Sequence, residues 1–363
     1  MTPPPRAIPT GELPNLDSLR ALAVLLVLSD HVLETMGARF GGGLNPQALY
    51  LGRLGVLLFF VHTCYVLMVS LNRLPGTGWS LSRAFFIRRA FRIFPLAVLC
   101  ILIVMLFEVP PLPWLSYEPP TPGQLAANLT LTMNLTGSER LLNPLWSLPL
   151  EVQMYLVLPA IFLVTRRVTD LRWAFGIWGI SLLAAFFVAP VSGRLSVLTF
   201  SPCFMAGVLA YGLRDRIAVR LPAALWLLCL VSLVALYLLL ETITPGIHHV
   251  WLQSLVCLLV GFAIPCFQQC ASAGFNRLTH LIARYSYGIY LFHCVALWVG
   301  YFWIAPQSDV LKALLTLATL VVLSVASYHA LEAPMMRLGA RLARGPLNPP
   351  YESGARSPVR DTP

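Results

Sequence analysis

The sequence predicts an all-α membrane protein, a polytopic bundle of about ten transmembrane helices with both termini in the cytoplasm. Of the 363 residues, 58% are hydrophobic and 11% are charged, whereas soluble domains carry roughly 25% charged residues. Apolar runs of bilayer-spanning length follow one another along the chain, and the basic residues concentrate in alternate loops. A chain this poor in charge can cover a lipid-facing surface, but not one that faces water.

Ten apolar runs each provide the about 20 residues that a helix needs to cross a bilayer core. In chain order they are 19–36, 51–71, 92–108, 145–165, 173–190, 197–213, 222–241, 249–268, 285–304 and 311–331. The long connection 109–143 begins with six prolines and continues with a weakly apolar piece, 124–136. That piece is interpreted as a re-entrant or interfacial helix, which leaves a count of eleven spans open.

The distribution of basic residues predicts the orientation of the bundle. If the N-terminus is cytoplasmic, 20 of the 25 Lys and Arg residues fall in inside segments, as the positive-inside rule requires. The other five are outside: Arg39, Arg53, Arg140, Arg194 and Lys312. The tails, 1–14 and 345–363, are rich in Pro, Gly and Ser and are predicted to be disordered. One membrane domain, 15–344, lies between them.

The net charge of +10 would indicate a nucleic-acid partner in a soluble protein. Here the cytoplasmic loops account for it, so the expected partner is the lipid bilayer and no nucleic acid. Arg supplies all but one of the basic residues, which is typical of GC-rich bacterial coding and decides nothing about function. The eight cysteines show no C-x-x-C spacing, and we expect small buried side chains, with no disulfide framework and no metal site.

The first span holds the clearest candidates for chemistry, because charges inside a membrane are costly and functional by default. Arg20 and His31 are eleven residues apart, which places both on one helix face about 16 Å apart along the axis. Arg20 near the cytoplasm would hold an anionic or carbonyl group, and His31 would act as a general base. Glu34 is near enough to orient the His31 ring, and Asp30 is a poorer orienter. Snorkelling of Arg20 and a structural contact of His31 fit the pair equally well.

A second cluster, Arg88, Arg89 and Arg92, precedes the apolar part of the third span. In a helix these residues lie about one turn apart on a shared face. Three guanidinium groups in this arrangement suit phosphates, which Arg pairs in bidentate fashion. Taken in isolation, a positive anchor on anionic lipid explains the cluster better.

Further polar residues interrupt the later spans. Glu151 needs a polar partner in its apolar surroundings. A functional role and a structural contact between helices both explain its presence. The aromatic residues that open the ninth span would be typical of an interfacial belt, and His293 of a structural contact. The candidates beyond the first and third spans are Glu151, Trp146, Ser147, Tyr155, Ser286, Tyr287, Tyr290, His293 and Glu332.

Together these stretches resemble the integral-membrane acyltransferase-3 family, whose members include bacterial O-antigen, exopolysaccharide and antibiotic acylases. The likeness extends over residues 16–337 and keeps the family's order. Its motifs are R-x10-H at Arg20 and His31, G-V-x-x-F-F-V at Gly55–Val61, R-x-x-R-x-x-P at Arg89–Pro95, W-S-L-x-x-E-x-x-x-Y at Trp146–Tyr155, S-Y-G-x-Y-L-x-H at Ser286–His293 and E-x-P at Glu332–Pro334. Each motif alone is weak, and six in order are strong.

The resemblance implies an O-acyltransferase that takes an acyl group, by default acetyl, from cytoplasmic acyl-CoA. The acceptor would be a hydroxyl of an extracytoplasmic carbohydrate, and acyl-CoA would be a co-substrate with no permanent cofactor. The arginines of the third span would bind the CoA phosphates, Arg20 would guide the thioester and His31 would be the base. Glu151 would orient a catalytic partner or the acceptor. Direct transfer and an acyl-His intermediate both stay open.

Two features leave room for other interpretations. The family usually has Ser-Gly after F-F-V, where this chain has His62 and Thr63, and the role of His62 is open. Buried Arg, His and Glu also suit a transporter of a glycan or small metabolite. No pair of interrupted helices occupies matching positions of two halves, which disfavours transport. A catalytically inactive relative is disfavoured because all the matched polar residues are present.

Overall fold

The computed structural model describes residues 13–40, 46–167, 171–243 and 249–344. The two tails that are predicted to be disordered lie outside these ranges, apart from residues 13 and 14. Within the described ranges the chain is all-α, and an isolated parallel bridge between Leu221 and Phe267 is its only β-type pairing. The α-helices are α1 (Pro14–Phe40), α2 (Pro46–Arg73), α3 (Gly78–Phe107), α4 (Pro122–Leu129), α5 (Met133–Thr136), α6 (Leu148–Arg167), α7 (Leu171–Phe187), α8 (Ser196–Leu213), α9 (Ala224–Ile243), α10 (His249–Cys266), α11 (Ala273–Trp298), α12 (Asp309–Ser327) and α13 (Ala333–Leu342).

The ten helices of 17 residues or more coincide in order with the ten predicted spans. Seven described helical stretches are long and apolar enough to cross a membrane, and α7 and α10 are apolar but somewhat shorter. Helix α11 has the length, with 26 residues, but its first half is polar. The prediction of an all-α polytopic membrane bundle is confirmed, and the direction in which the bundle crosses the membrane stays a prediction.

The connection between α3 and α6 contains no eleventh span. Helix α4 has 8 residues and α5 has 4, so even α4 is only about 12 Å long, against a hydrocarbon core of about 30 Å. The Asn128 amide fixes this connection, because its Nδ2 donates to the carbonyls of Gln124 and Glu139 and its Oδ1 accepts from the backbone of Leu141. A short 3₁₀ helix, Asn143–Ser147, then leads into α6.

Small residues bring the central helices into close contact. A Cβ on Gly55 of α2 would lie 2.5 Å from the carbonyl oxygen of Ala23 in α1, and one on Gly207 of α8 would lie 2.2 Å from that of Val61 in α2. Such contacts between small residues drive helix association in lipid, where the hydrophobic effect does not operate. Helix α2 therefore lies at the centre, between α1 and α8.

Helices α1 and α11 run parallel, and polar residues at successive positions along α1 contact polar residues of α11. Asp17 Oδ2 lies 2.8 Å from Nδ1 of His280, and Arg20 Nε donates to Ser286 Oγ at 2.6 Å. Further along, the ring centroids of His31 and His293 are 4.7 Å apart. The motif that begins at Arg20 and the motif that begins at Ser286, 266 residues later, thus form one row of polar contacts between the two helices.

Two π-helical turns interrupt the last helices, at Val299–Trp303 after α11 and at Tyr328–Glu332 between α12 and α13. Wide turns of this kind often occur at functional sites, because they redirect the side chains that follow. The second turn ends at Glu332, whose side chain points into the bundle and is 1% exposed.

Candidate active site

An inner cavity of about 100 Å³ lies among α1, α2, α3, α6 and α11. Its walls combine apolar and aromatic side chains with a concentration of cations and one carboxylate. The polar and charged residues of its lining are Arg20, His62, Thr63, Arg89, Arg92, Ser147, Glu151, Tyr155, Ser286, Tyr287 and Tyr290. Most of the candidate site residues predicted from the sequence therefore line one cavity.

Arg20 projects from α1 into the inner cavity, and its Nε is held by Ser286. Ser286 is completely buried, and its hydroxyl donates a hydrogen bond to the carbonyl of Ala283 at 2.8 Å. A hydrogen bond to a charged donor is stronger than one between neutral groups and fixes its direction. The remaining guanidinium nitrogens of Arg20 are directed by this bond and are free to meet a ligand.

Of the three arginines predicted to share a face, Arg89 and Arg92 line the inner cavity, whereas Arg88 lies outside its lining. Arg92 forms an ion pair with the buried carboxylate of Glu332, and its guanidinium lies 5.5 Å from the ring centroid of Tyr287. The closing motif of the sequence therefore holds an arginine of the third helix in place. The Nε of Arg89 has no hydrogen-bond partner in the described part of the chain.

Glu151 is the carboxylate of the inner cavity. It accepts a hydrogen bond from the hydroxyl of Tyr155, one helical turn further along α6. With Arg20, Arg89 and Arg92 in the same lining, the cavity carries three cations and one anion. The excess of positive charge suits a ligand that carries several negative charges.

Tyr290 forms the outer end of the inner cavity together with the 3₁₀ helix. Its hydroxyl lies 2.6 Å from Ser147 Oγ and donates to the carbonyl of Pro144 at 2.8 Å. Tyr287, one turn earlier, donates to the carbonyl of Ile93 at 2.8 Å. The two tyrosines of α11 thus tie the connection and α3 to the same helix and close the cavity on its outer side.

His31 is buried just beyond this closure and has both ring nitrogens engaged. Nδ1 donates to the carbonyl of Val27 at 3.0 Å, which leaves Nε2 to accept from Nδ2 of Asn143 at 2.8 Å. The ring meets that of His293 edge to face, with an interplanar angle of 65°. This tautomer presents an unprotonated Nε2, which is the form that a general base requires.

The sequence predicted that Glu34 would orient the ring of His31, but neither Glu34 nor Asp30 forms a hydrogen bond to that ring. Asp30 Oδ2 lies 3.9 Å from Nδ1 of His31, and Glu34 forms no hydrogen bond to the ring. Asp30 Oδ1 and Glu34 Oε2 are buried without a hydrogen-bond partner among the described residues. The backbone of Val27, which no side-chain pattern reveals, orients the ring instead.

Two groups of side chains around His31 have the spacing of metal ligands, one with Asp30 and Glu34 and the other with His293 and Cys294. Their ligand atoms lie within 4.8 Å of one another. A metal ligand and a general base both need the lone pair of His31 Nε2, which here accepts from Asn143 while Nδ1 carries the proton. The hydrogen bonds of His31 therefore do not decide between a base and a metal ligand, and the prediction of no metal stays a prediction.

An outer cavity of about 600 Å³ lies on the other side of His31. It is formed by the α3–α6 connection and the adjoining ends of α6 and α8. Its aromatic, polar and charged lining residues are Asn134, Ser138, Glu139, Arg140, Asn143, Trp146, Ser196 and Phe200. Asn143 belongs to this lining and also bonds to His31, so one side chain separates His31 from the outer cavity.

Asn143, Arg140 and His62 are among the lining residues of these two cavities that sequence reasoning missed. Asn143 directly precedes the Pro144 that opens the fourth span, and a polar residue at that place was the available signal. Arg140 was counted only as an outside charge, and His62 was noted without a role. His62 is 5% exposed and lines the inner cavity.

The fold and the cavities define a multi-pass membrane protein with a polar site between two cavities. A family model described as an acyltransferase domain matches residues 13–329 of the chain. The chain therefore belongs to the integral-membrane acyltransferase-3 family.

Similar proteins include two from Staphylococcus aureus, strains COL and N315, both named provisionally as O-acetyltransferases. Each is 23% identical to this chain and covers 91% of it, whereas the chain spans 58% of the length of each relative. No solved structure matches the chain.

Proposed function

We propose that this protein transfers an acyl group, by default acetyl, from cytoplasmic acyl-CoA to a hydroxyl of an extracytoplasmic carbohydrate. The observation that carries the proposal is the position of His31 between two cavities. Tyr290 and His293 separate it from the cationic inner cavity, with ring centroids 6.1 Å apart, and Asn143 separates it from the outer one. A base between two cavities can contact a donor from one cavity and an acceptor from the other.

The inner cavity supplies what an acyl-CoA donor needs. Arg89 and Arg92 would bind the CoA phosphates, since guanidinium groups pair with phosphate oxygens in bidentate fashion. Arg88 would add positive charge from outside the lining. Arg20, held by Ser286, would direct the thioester end towards Tyr290 and His31. The apolar walls suit the acyl chain and the pantetheine methylenes.

The chemistry requires one proton acceptor and no redox partner. The acceptor hydroxyl gives its proton to Nε2 of His31 as its oxygen bonds to the acyl carbon, and the carbon–sulfur bond of the thioester breaks. The thiolate leaves as CoA and takes up the proton. Transfer through an acyl group on His31 has the same overall balance. Glu151 would orient the donor or a catalytic partner from within the inner cavity.

The test compares wild type with His31→Ala and His31→Gln in detergent or liposomes, with acetyl-CoA as donor. We expect slow release of free CoA by wild type and a loss of about 100-fold or more in both variants, because general bases contribute about 10²–10⁴. Binding of CoA, measured by calorimetry, should persist in all three proteins. His329→Ala is the control, since His329 is exposed and bonds to Tyr285, away from both cavities.

Full CoA release by a folded His31→Ala protein would contradict His31 as the base. Failure of wild type to bind or release CoA would contradict acyl-CoA as the donor. The expected site of action is the cytoplasmic membrane of a bacterium, where CoA is available on one side and the acceptor on the other.

A further inference from the structure

The outer cavity has the size and chemistry of a sugar site, and apart from Trp146, Pro149 and Leu150 its lining lies outside the family motifs. Its volume of about 600 Å³ lies within the roughly 300–1,000 Å³ of common small-molecule sites, so it can admit a sugar. Asn134, Ser138 and Ser196 contribute amide and hydroxyl groups to its lining. These groups both donate and accept, as the hydroxyls of a sugar do.

An aromatic pair forms one wall of the outer cavity. The ring centroids of Trp146 and Phe200 are 5.5 Å apart with planes at 50°, and both rings belong to the lining. The negative face of an aromatic ring attracts the weakly positive C–H groups of a sugar face. The pair can hold a sugar ring in the same cavity as Asn143, whose amide bonds to Nε2 of His31.

Arg140 adds a positive charge to this cavity. It is exposed, donates no hydrogen bond and forms no ion pair in the part of the chain that the structure describes. It lies near enough to His31 and Tyr290 to act on both electrostatically. Glu139 is the other charged residue of the lining. A ligand at the His31 end of the cavity therefore meets a cation.

We infer that the outer cavity binds an acceptor sugar that carries an anionic group, a carboxylate or a phosphate, and that Arg140 determines this specificity. The inference rests on the proposed function and names the acceptor class for the same site. Arg pairs with both anions through two parallel hydrogen bonds, while Trp146 and Phe200 hold the ring and the hydroxyl to be acylated reaches His31. Arg140 acts here by binding the acceptor, at a distance from the bond that forms.

The experiment measures CoA release from acetyl-CoA in the presence of three acceptors: methyl β-D-glucoside, methyl β-D-glucuronide and glucose 6-phosphate. We expect wild type to use one or both anionic sugars with a kcat/KM about ten-fold above that of the neutral glucoside, which corresponds to about 1.4 kcal/mol. Arg140→Gln should remove the preference through KM, and Arg140→Lys should retain part of it. The two anionic arms show whether the carboxylate or the phosphate is the favoured group.

Arg194→Gln is the matched control, because Arg194 is another exposed arginine on the predicted outer side but lies outside the cavity lining. It should keep the preference for the anionic sugars. Equal use of the three acceptors, no stimulation by any of them, or a fall of Arg140→Gln with the neutral glucoside as well would overturn the inference. His31-dependent hydrolysis of acetyl-CoA without acceptor would still support the proposed function in those cases. Absence of that hydrolysis would defeat the proposed function itself.

Discussion

Nε2 of His31 accepts a hydrogen bond of 2.8 Å from Nδ2 of Asn143, a residue 112 positions later in the chain. The bond joins the middle of the first helix to the end of the long α3–α6 connection. It keeps the imidazole neutral with its proton on Nδ1, facing the carbonyl of Val27. An acceptor hydroxyl that replaces the amide of Asn143 would meet a base already in the required tautomer.

Asn143→Ala should lower kcat about ten-fold and leave the KM for acetyl-CoA within two-fold. The amide positions His31 from the side of the outer cavity and does not line the inner one, so donor binding should be unaffected. Steady-state kinetics of CoA release give both parameters. Asn276→Ala is the control, since the Asn276 amide donates to the carbonyl of Cys270 outside both linings. A change in KM alone would argue against this positioning role.

Ser286→Ala should weaken binding of acetyl-CoA. The change removes the group that accepts from Arg20 at 2.6 Å, and hydrogen bonds to charged groups contribute about 1.5–3 kcal/mol. We expect the KM for acetyl-CoA to rise about ten-fold, with a smaller effect on the melting temperature than on KM. Ser82→Ala is the matched control, because Ser82 Oγ donates to the carbonyl of Gly78. Unchanged binding would show that Arg20 needs no such support.

Arg89→Ala should raise the Kd for CoA more than Arg88→Ala does. Arg89 lines the inner cavity and Arg88 does not, although the two are neighbours in sequence and carry the same charge. We expect about ten-fold for Arg89→Ala and less than three-fold for Arg88→Ala, measured by calorimetry at fixed ionic strength, since salt screens exposed charges. An equal rise of the Kd in both variants would indicate that CoA responds to the total positive charge of the arginines and makes no specific contact with Arg89.

Glu332→Gln should destabilise the protein markedly, because it leaves the guanidinium of Arg92 without its buried partner. Breaking a buried ion pair on one side costs about 3–5 kcal/mol, which for a chain of this size lowers the melting temperature by roughly 5–10 °C. The double variant Arg92→Met with Glu332→Met should lose less than the two single methionine variants combined. Additive losses in thermal unfolding would mean that the pair contributes no coupling.

Gly207→Ala should impair folding, whereas Gly176→Ala should not. A Cβ on Gly207 would lie 2.2 Å from the carbonyl oxygen of Val61, while Gly176 has no atom within 4 Å of such a Cβ. Both glycines lie inside helices, so the gain in helix propensity of about 1 kcal/mol is common to both. The melting temperature should fall by several degrees for Gly207→Ala and hold or rise slightly for Gly176→Ala. A tolerated Gly207→Ala would show that α2 and α8 can separate at little cost.

Much of the fold was predictable because lipid imposes a simple rule on sequence. Every backbone group inside a bilayer must be paired within its own helix, so each span appears as an apolar run and the ten long helices coincide with those runs. The 124–136 segment was ambiguous, since a weakly apolar stretch fits an interfacial helix and a re-entrant one equally. The short α4 and α5 exclude an eleventh span, and the interfacial or re-entrant position of the segment stays a prediction.

The sequence alone determined the all-α membrane bundle, its family and most of the polar residues of the inner cavity, because these depend on composition, periodicity and motif order. Tertiary packing decided which polar groups meet. Glu332 pairs with Arg92, and His31 is oriented by Val27 and Asn143, with Glu34 making no bond to its ring. Such partners lie on other helices or on the backbone, and side-chain periodicity along one helix carries no information about its neighbours.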